Sequence, residues 1–329
     1  MSGAPGSSDA GAPRWTGPPH PCDHVPTMAS IEEIVVQPPH TATWLVHIDR
    51  SMWVGGVGGL MLQALHPLAM RGVWQNSDFR RDPFGRLRRT ADFVGRVTFG
   101  SPAEADEVGR RVRDIHRRLR FDDPGTGRVR RVDEPELLLW VHCAEVSSYL
   151  SVARRSGLGL DDRQADRYLA EQRRSATYVG LHAEDVPGSV AELDDYFASV
   201  RPLLRATPEA VSTVRFLMWP RLPAGLRALT PGKPAYFPFG ALCYYSLPGW
   251  ARRMYGVLPE VPPGAVTAGL RAFRLLMDTL PEPVHDRAFM PATRRMLAAS
   301  RERLGAAGYD MAEGLRGLTD PRRWPSHRS

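Results

Sequence analysis

Two arginines and a histidine raise the first chemical question. In the decapeptide Arg111–Arg120, RVRDIHRRLR, His116 has Arg113 at i−3 and Arg120 at i+4. On a helix these three project from one side, whereas Arg110 and Arg117 turn toward water. A neutral imidazole offers a lone pair to a metal, and guanidinium groups beside it suit an anionic ligand. The bland alternative pairs the arginines with Asp106, Asp114 or acids of neighbouring helices and leaves His116 a hydrogen-bonded boundary histidine.

Three further segments carry candidate chemistry. In Arg80–Thr90, RRDPFGRLRRT, Arg86 and Thr90 lie four apart and share a helix face, although such a pair also serves as a surface arginine and a threonine bonded to its own helix. In GGVGGLMLQALHPLAMRG the four glycines Gly55, Gly56, Gly58 and Gly59 each cost a helix about 1 kcal/mol relative to alanine, so they predict close approach of another helix or of a flat ligand. Pro67 bends or breaks that helix and leaves His66 at a kink, where it could reach into a cavity. The segment lacks the lysine and hydroxyl of a phosphate loop and the strand that precedes a dinucleotide fingerprint. In LLLWVHCAEVSSYL, His142 reads as a core histidine. His142 with Glu145 at i+3 would suit a carboxylate-bridged metal pair, but the second Glu-x-x-His such a bundle needs is missing.

The elements that position these residues are helical. Ser101-Pro102-Ala103-Glu104, Asp133-Glu134-Pro135-Glu136, Ser189-Val190-Ala191-Glu192 and Thr207-Pro208-Glu209 are helix starts, and strand alternation hardly occurs. Apolar spacing predicts helices over 51–75, 83–99, 102–120, 134–155, 161–178, 190–204, 208–218, 239–255, 265–279 and 291–304. Within 102–120, Val108, Val112, Ile115 and Leu119 form one apolar stripe with His116 at its border. The proline-rich connectors 219–238 and 257–264 are interleaved with or flanked by Trp219, Tyr236, Phe237 and Phe239, aromatics that call for burial and so favour one domain. The expected organisation is a leader over 1–27, disordered because it is rich in Gly, Pro and Ser, then one all-α domain over 28–318 and a tail over 319–329. Met28 is a second candidate start.

Composition narrows the function classes. Of the chain's 329 residues 43% are hydrophobic, enough for a large buried core. The net charge of +7 comes almost wholly from arginines spread along the chain, with Lys233 the single lysine, so no stripe for nucleic acid is formed. Cys22, Cys143 and Cys243 are far apart, which argues against a disulfide framework or zinc site and for a reducing cytoplasm. Ser51–Met70 has membrane-spanning length, but its four glycines, Gln63, His66 and Pro67 make a core helix the better reading, with contact at a membrane surface still compatible.

Taken in order, HIDRSMWVGGVGGLMLQALHPLAMRGV, DFRRDPFGRLRRTADFVGRVTFG, RVRDIHRRLR and DEPELLLWVHCAEV resemble the DUF2236 family of mpaB-type oxygenases and latex-clearing rubber oxygenases, over about residues 40–280. The resemblance implies an all-α fold with a globin-like core and a b-type haem. It implies His116 as the proximal iron ligand, Arg113 and Arg120 beside the haem, Arg86 and Thr90 as a functional pair, and an apolar unsaturated or lipid-like substrate attacked with O2. The second ring nitrogen of His116 is expected to bond a carbonyl or carboxylate. Trp53, Met61, Leu62 and Phe93 are expected to line the substrate pocket, and His66 is open to three roles, a distal ligand, a proton relay or a structural residue. Two departures follow. The family's R-x-x-K-T lysine is Arg89 here, and a protonated guanidinium has no lone pair for a metal. The family's catalytic glutamate has no counterpart identified in the sequence; the region upstream of Arg86 offers Gln63 and His66 instead. These departures keep open a second reading, a haem or hydrophobic-ligand binding protein without turnover.

Overall fold

The computed structural model describes residues 28–220, 233–281 and 291–310; the leader 1–27 and the tail 319–329 lie outside them. Among the described residues the fold is all-α, with fourteen α-helices and one two-stranded hairpin. The helices are α1 Met28–Ile34, α2 Ala42–Ile48, α3 Met52–Gln63, α4 Pro67–Asn76, α5 Pro83–Phe99 and α6 Pro102–Arg118. After the hairpin come α7 Pro135–Ser156, α8 Asp162–Thr177, α9 Val190–Val200 and α10 Pro208–Met218. The chain continues with α11 Lys233–Ser246, α12 Gly249–Tyr255, α13 Pro263–Thr279 and α14 Pro291–Ala306.

The starts at Ser101 and Thr207 form as expected. The Ser101 hydroxyl accepts from Glu104 N while the Glu104 carboxylate accepts from Ser101 N, and Thr207 accepts from Ala210 N. Such caps satisfy N–H groups that the first helical turn leaves orphaned. The predicted helix 51–75 is two helices, because Pro67 ends the first and His66 caps the second, its ring nitrogen accepting from Ala69 N at 3.4 Å. The predicted 239–255 also divides, at Leu247 and Pro248, and its first part begins earlier, with Pro238 inside α11. Tyr236 and Phe239 pack edge to face there. Trp219 and Phe237 pair with each other instead of entering the core and stay 41% and 37% exposed.

Three elements went unpredicted. α1 and α2 are only seven residues each, about two turns and too short a window for a periodicity to stand out, and the hairpin β1 Arg120–Asp122 with β2 Val129–Arg131 pairs Phe121 with Arg130 in antiparallel register. Its buried Phe121 rests on Gly72 of α4. α2 is held by α8: Glu171 accepts from Ala42 N and Thr43 N, taking two of the orphan donors of α2, and is itself paired with Arg167 at 2.8 Å.

α3 is the centre of the architecture, and its glycines receive helices. A Cβ on Gly55 would come within 2.9 Å of the Tyr149 ring and 3.1 Å of its Cα, one on Gly59 within 3.4 Å of the Glu145 Cα, and one on Gly58 within 2.7 Å of the Ser246 hydroxyl. α7 thus covers one side of α3 and α11 another. No helix among the described residues is long and apolar enough to cross a membrane.

Gly55→Ala should cost about 1–3 kcal/mol despite alanine's higher helix propensity, because the Tyr149 backbone must move. Gly56→Ala meets Tyr149 only at ordinary contact distance, 3.5 Å, and should be neutral or stabilising by up to about 1 kcal/mol. Urea unfolding followed by circular dichroism separates the two.

Candidate functional site

The side of α3 next to its glycine seam, together with α5, α6 and α7, bounds a cavity of about 510 Å³. That is within the range of about 300–1,000 Å³ typical of pockets that enclose a small molecule. From α3 come Met52, Trp53, Gly56, Leu60 and Gln63. The α5 wall carries Arg86, Arg89, Thr90 and Phe93; α6 adds Val112, Ile115 and His116; α7 adds Val141, Glu145 and Tyr149.

The apolar stripe of α6 explains why His116 faces inward. Its first part, Ala105 and Val108, packs with Val36, Val97 and Tyr178. From Val112 onward the stripe opens on the cavity, and Ile115 is 47% exposed. At the border of this stripe, His116 has a buried Nδ1 with no hydrogen-bond partner. Burial is the main cause that lowers its pKa, aided by Arg86 and opposed by Asp133, so the ring is neutral at neutral pH. The expected orienting bond to a carbonyl or carboxylate is not made.

Arg86 and Thr90 lie one turn apart on the cavity wall, as their spacing predicts. The Arg86 guanidinium donates to the Ser77 hydroxyl at 2.6 Å, and its pKa is lowered first by burial and then by Arg89. Arg113 and Arg120 are not among the lining residues. Arg113 donates to the Tyr178 carbonyl at 2.8 Å, and the exposed Arg120 donates to the carbonyls of Arg117 and Leu119. These two guanidinium groups are thus held by carbonyl oxygens, those of Arg117 and Leu119 at the end of α6, where cations are favoured. Arg117 pairs with Asp114 at 2.8 Å.

His66 is likewise outside the lining. It is buried as the cap of α4, its ring centroid 5.9 Å from that of Trp140, and burial is the main cause lowering its pKa. Of the expected pocket residues Trp53 and Phe93 line the cavity, whereas Met61 and Leu62 are fully buried in the core. The apolar face was read one position off, since Leu60 and Gln63 take their places. His142 is a core histidine whose burial pushes its pKa down to about 4.

The sequence did not place Glu145 in the site. It lines the cavity, and burial pushes its carboxyl up to about 7 against the opposing effect of a hydrogen bond from Tyr149. Val141, Glu145 and Tyr149 recur at i, i+4 and i+8, and that stripe was the available signal. His47 also lines the cavity with both ring nitrogens engaged, by the Thr98 hydroxyl at 2.9 Å and the Tyr168 hydroxyl at 3.2 Å. Among the described residues no group of three or more His, Cys, Asp or Glu could hold a metal ion by itself.

Comparison with known proteins places the chain in a family. Residues 44–282 match the family model described as ER-bound oxygenase mpaB/B′/Rubber oxygenase, catalytic domain. A solved structure, that of Latex Clearing Protein LCP in the closed state, superposes with a TM-score of 0.51 at 16% identity, covering 85% of this chain and 76% of that one, a likeness of fold. No curated protein matches the chain.

A carboxyl group that titrates near 7 when folded and near 4.5 when unfolded binds its proton more tightly in the folded state. Its contribution to stability is therefore full below pH 4.5 and is lost as pH rises through 7. Glu145→Gln, which keeps the neutral shape, should match the parent chain near pH 4.5 and exceed it by about 2–3 kcal/mol at pH 8. Denaturant unfolding at the two pH values measures the difference; equal gains at both would mean that the carboxyl does not titrate there.

Proposed function

Given that the chain belongs to the family of the mpaB and rubber oxygenases, we propose that it is a haem b-dependent oxygenase acting on an apolar, unsaturated or lipid-like small molecule with O2. The observation that carries the reading is His116, a neutral imidazole on the wall of a 510 Å³ cavity whose buried Nδ1 bonds to nothing in the chain. An unsatisfied buried polar atom costs about 1–3 kcal/mol, and such a cost is retained where the group serves a ligand.

The residues present fit the cofactor. His116 is the iron ligand in this reading, and haem, when bound, supplies the redox and O2 chemistry that side chains lack. Arg89, on the cavity wall with its side chain 65% exposed and a loose 3.6 Å pairing to Asp82, is placed for a carboxylate near solvent. Leu60, Trp53, Phe93 and Ile115 give a flat ring and an apolar substrate a dry surface. The Thr90 hydroxyl offers a hydrogen bond at the wall, and Glu145 holds a proton beside the cavity near neutral pH. Arg113 and Arg120 support the end of α6 and so the position of His116. His66 fixes the α3–α4 corner that sets Leu60 and Gln63 against the cavity.

The replacement of the family's lysine by Arg89 favours a second reading, a haem or hydrophobic-ligand carrier without turnover. Purified protein should be red, with a Soret band lost in His116→Ala and kept in His142→Ala; colourless protein that takes up no haemin sinks both readings. Oxygen consumption with a polyunsaturated or isoprenoid substrate, abolished in His116→Ala, decides for the oxygenase, and its absence in haem-loaded protein decides for the carrier.

A further inference from the structure

Next to the main cavity lies a narrow apolar bay of about 80 Å³ between α3, α4, α5 and α10, lined by Val57, Met70, Val73, Phe79, Phe216 and Leu217 among others. Leu60, Gln63, Arg86, Leu87 and Val141 line both spaces and so form the partition between them. Arg86 is the cation of that partition. The aspartates nearest it in sequence are occupied elsewhere, Asp82 with Arg89 at 3.6 Å, Asp92 with Arg96 at 3.1 Å and Asp78 with Arg81 at 3.7 Å. Its own partner is the neutral Ser77 hydroxyl, which satisfies one of five N–H donors.

A guanidinium stays protonated, so removing it from water without a counter-charge is costly, and Arg89 nearby adds repulsion. We infer that Arg86 and this bay bind a short aliphatic monocarboxylate, the guanidinium holding the carboxylate at the partition and the bay, at about 80 Å³, taking a tail of about three carbons. A neutral hydrocarbon would leave the guanidinium unpaired. A phosphate dianion would bring a second charge that one arginine cannot neutralise among apolar walls. The inference rests on Arg86 and the bay and does not depend on the reading above.

Calorimetric titration of the purified full chain, before and after haemin loading, with butyrate and with 1-butanol tests it. Butyrate should bind about tenfold or more tighter than the alcohol, a comparison that needs no variant. Arg86→Gln should weaken butyrate about tenfold or more and leave butanol unchanged, while Val73→Phe, which fills the bay, should weaken both. Equal affinity for acid and alcohol overturns the inference, as does binding of neither. Arg86→Gln protein that keeps its butyrate affinity but no longer retains haemin also overturns it and assigns Arg86 to the porphyrin carboxylates. A chain that holds butyrate through Arg86 yet takes up no haemin defeats the haem reading alone.

Discussion

The contact between α3 and α7 is the constraint from which the site follows. Four glycines in α3 cost about 4 kcal/mol of helix propensity, and that cost is offset by dispersion contacts made when the α7 backbone reaches the surface of α3 at Gly55 and Gly59. With no α3 side chains between, Glu145 and Tyr149 lie at the cavity edge, and Gly56 leaves the space before the Tyr149 ring open. The neighbouring face of α3 keeps its side chains, and Trp53, Leu60 and Gln63 become cavity wall. One helix thereby closes the core with its small residues and bounds a binding space with its large ones.

The cavity is electrically divided. Cationic groups enter from α5, and the one buried acid enters from α7. These do not neutralise each other: the causes that shift Glu145 are burial and Tyr149, with no arginine among them, and those that shift Arg86 are burial and another arginine. Each therefore bears its own desolvation cost, the acid by taking up a proton and the arginine, which cannot shed one, by remaining charged. A fold under selection for stability alone would have paired them or replaced both by apolar residues.

How much of this was legible in the sequence depends on the range over which each feature is determined. The caps at Ser101 and Thr207 and the break at Pro67 are local events, and local residues predict them. The shared face of Arg86 and Thr90 and the inward turn of His116 follow from helical period. What the period cannot give is the partner of each face. Arg113 is spoken for by the Tyr178 carbonyl, 65 residues away, and His66 by its own following turn. Met61 and Leu62 point to the core because α3 is covered on more than one side, which an apolar run cannot register. Glu145 was passed over for the opposite reason: an acid in a buried helix reads as half of a metal pair until the cavity beside it is seen.

Arg89 in place of a lysine bears on what can stand opposite His116. Side chains that offer a lone pair to a metal are neutral imidazoles, carboxylates and thiolates. Among the described lining residues, His47 has both nitrogens bonded to hydroxyls, and Glu145 is half protonated near pH 7 and bonded by Tyr149. Cys143 and Cys243 are buried with raised pKa values and are not in the lining. A guanidinium contributes charge but no lone pair. Among the described lining residues His116 is thus the imidazole whose buried Nδ1 is unused by another side chain or carbonyl. Under the haem reading, a lysine at position 89 would offer a lone pair where the arginine, largely exposed at the cavity wall, offers only charge.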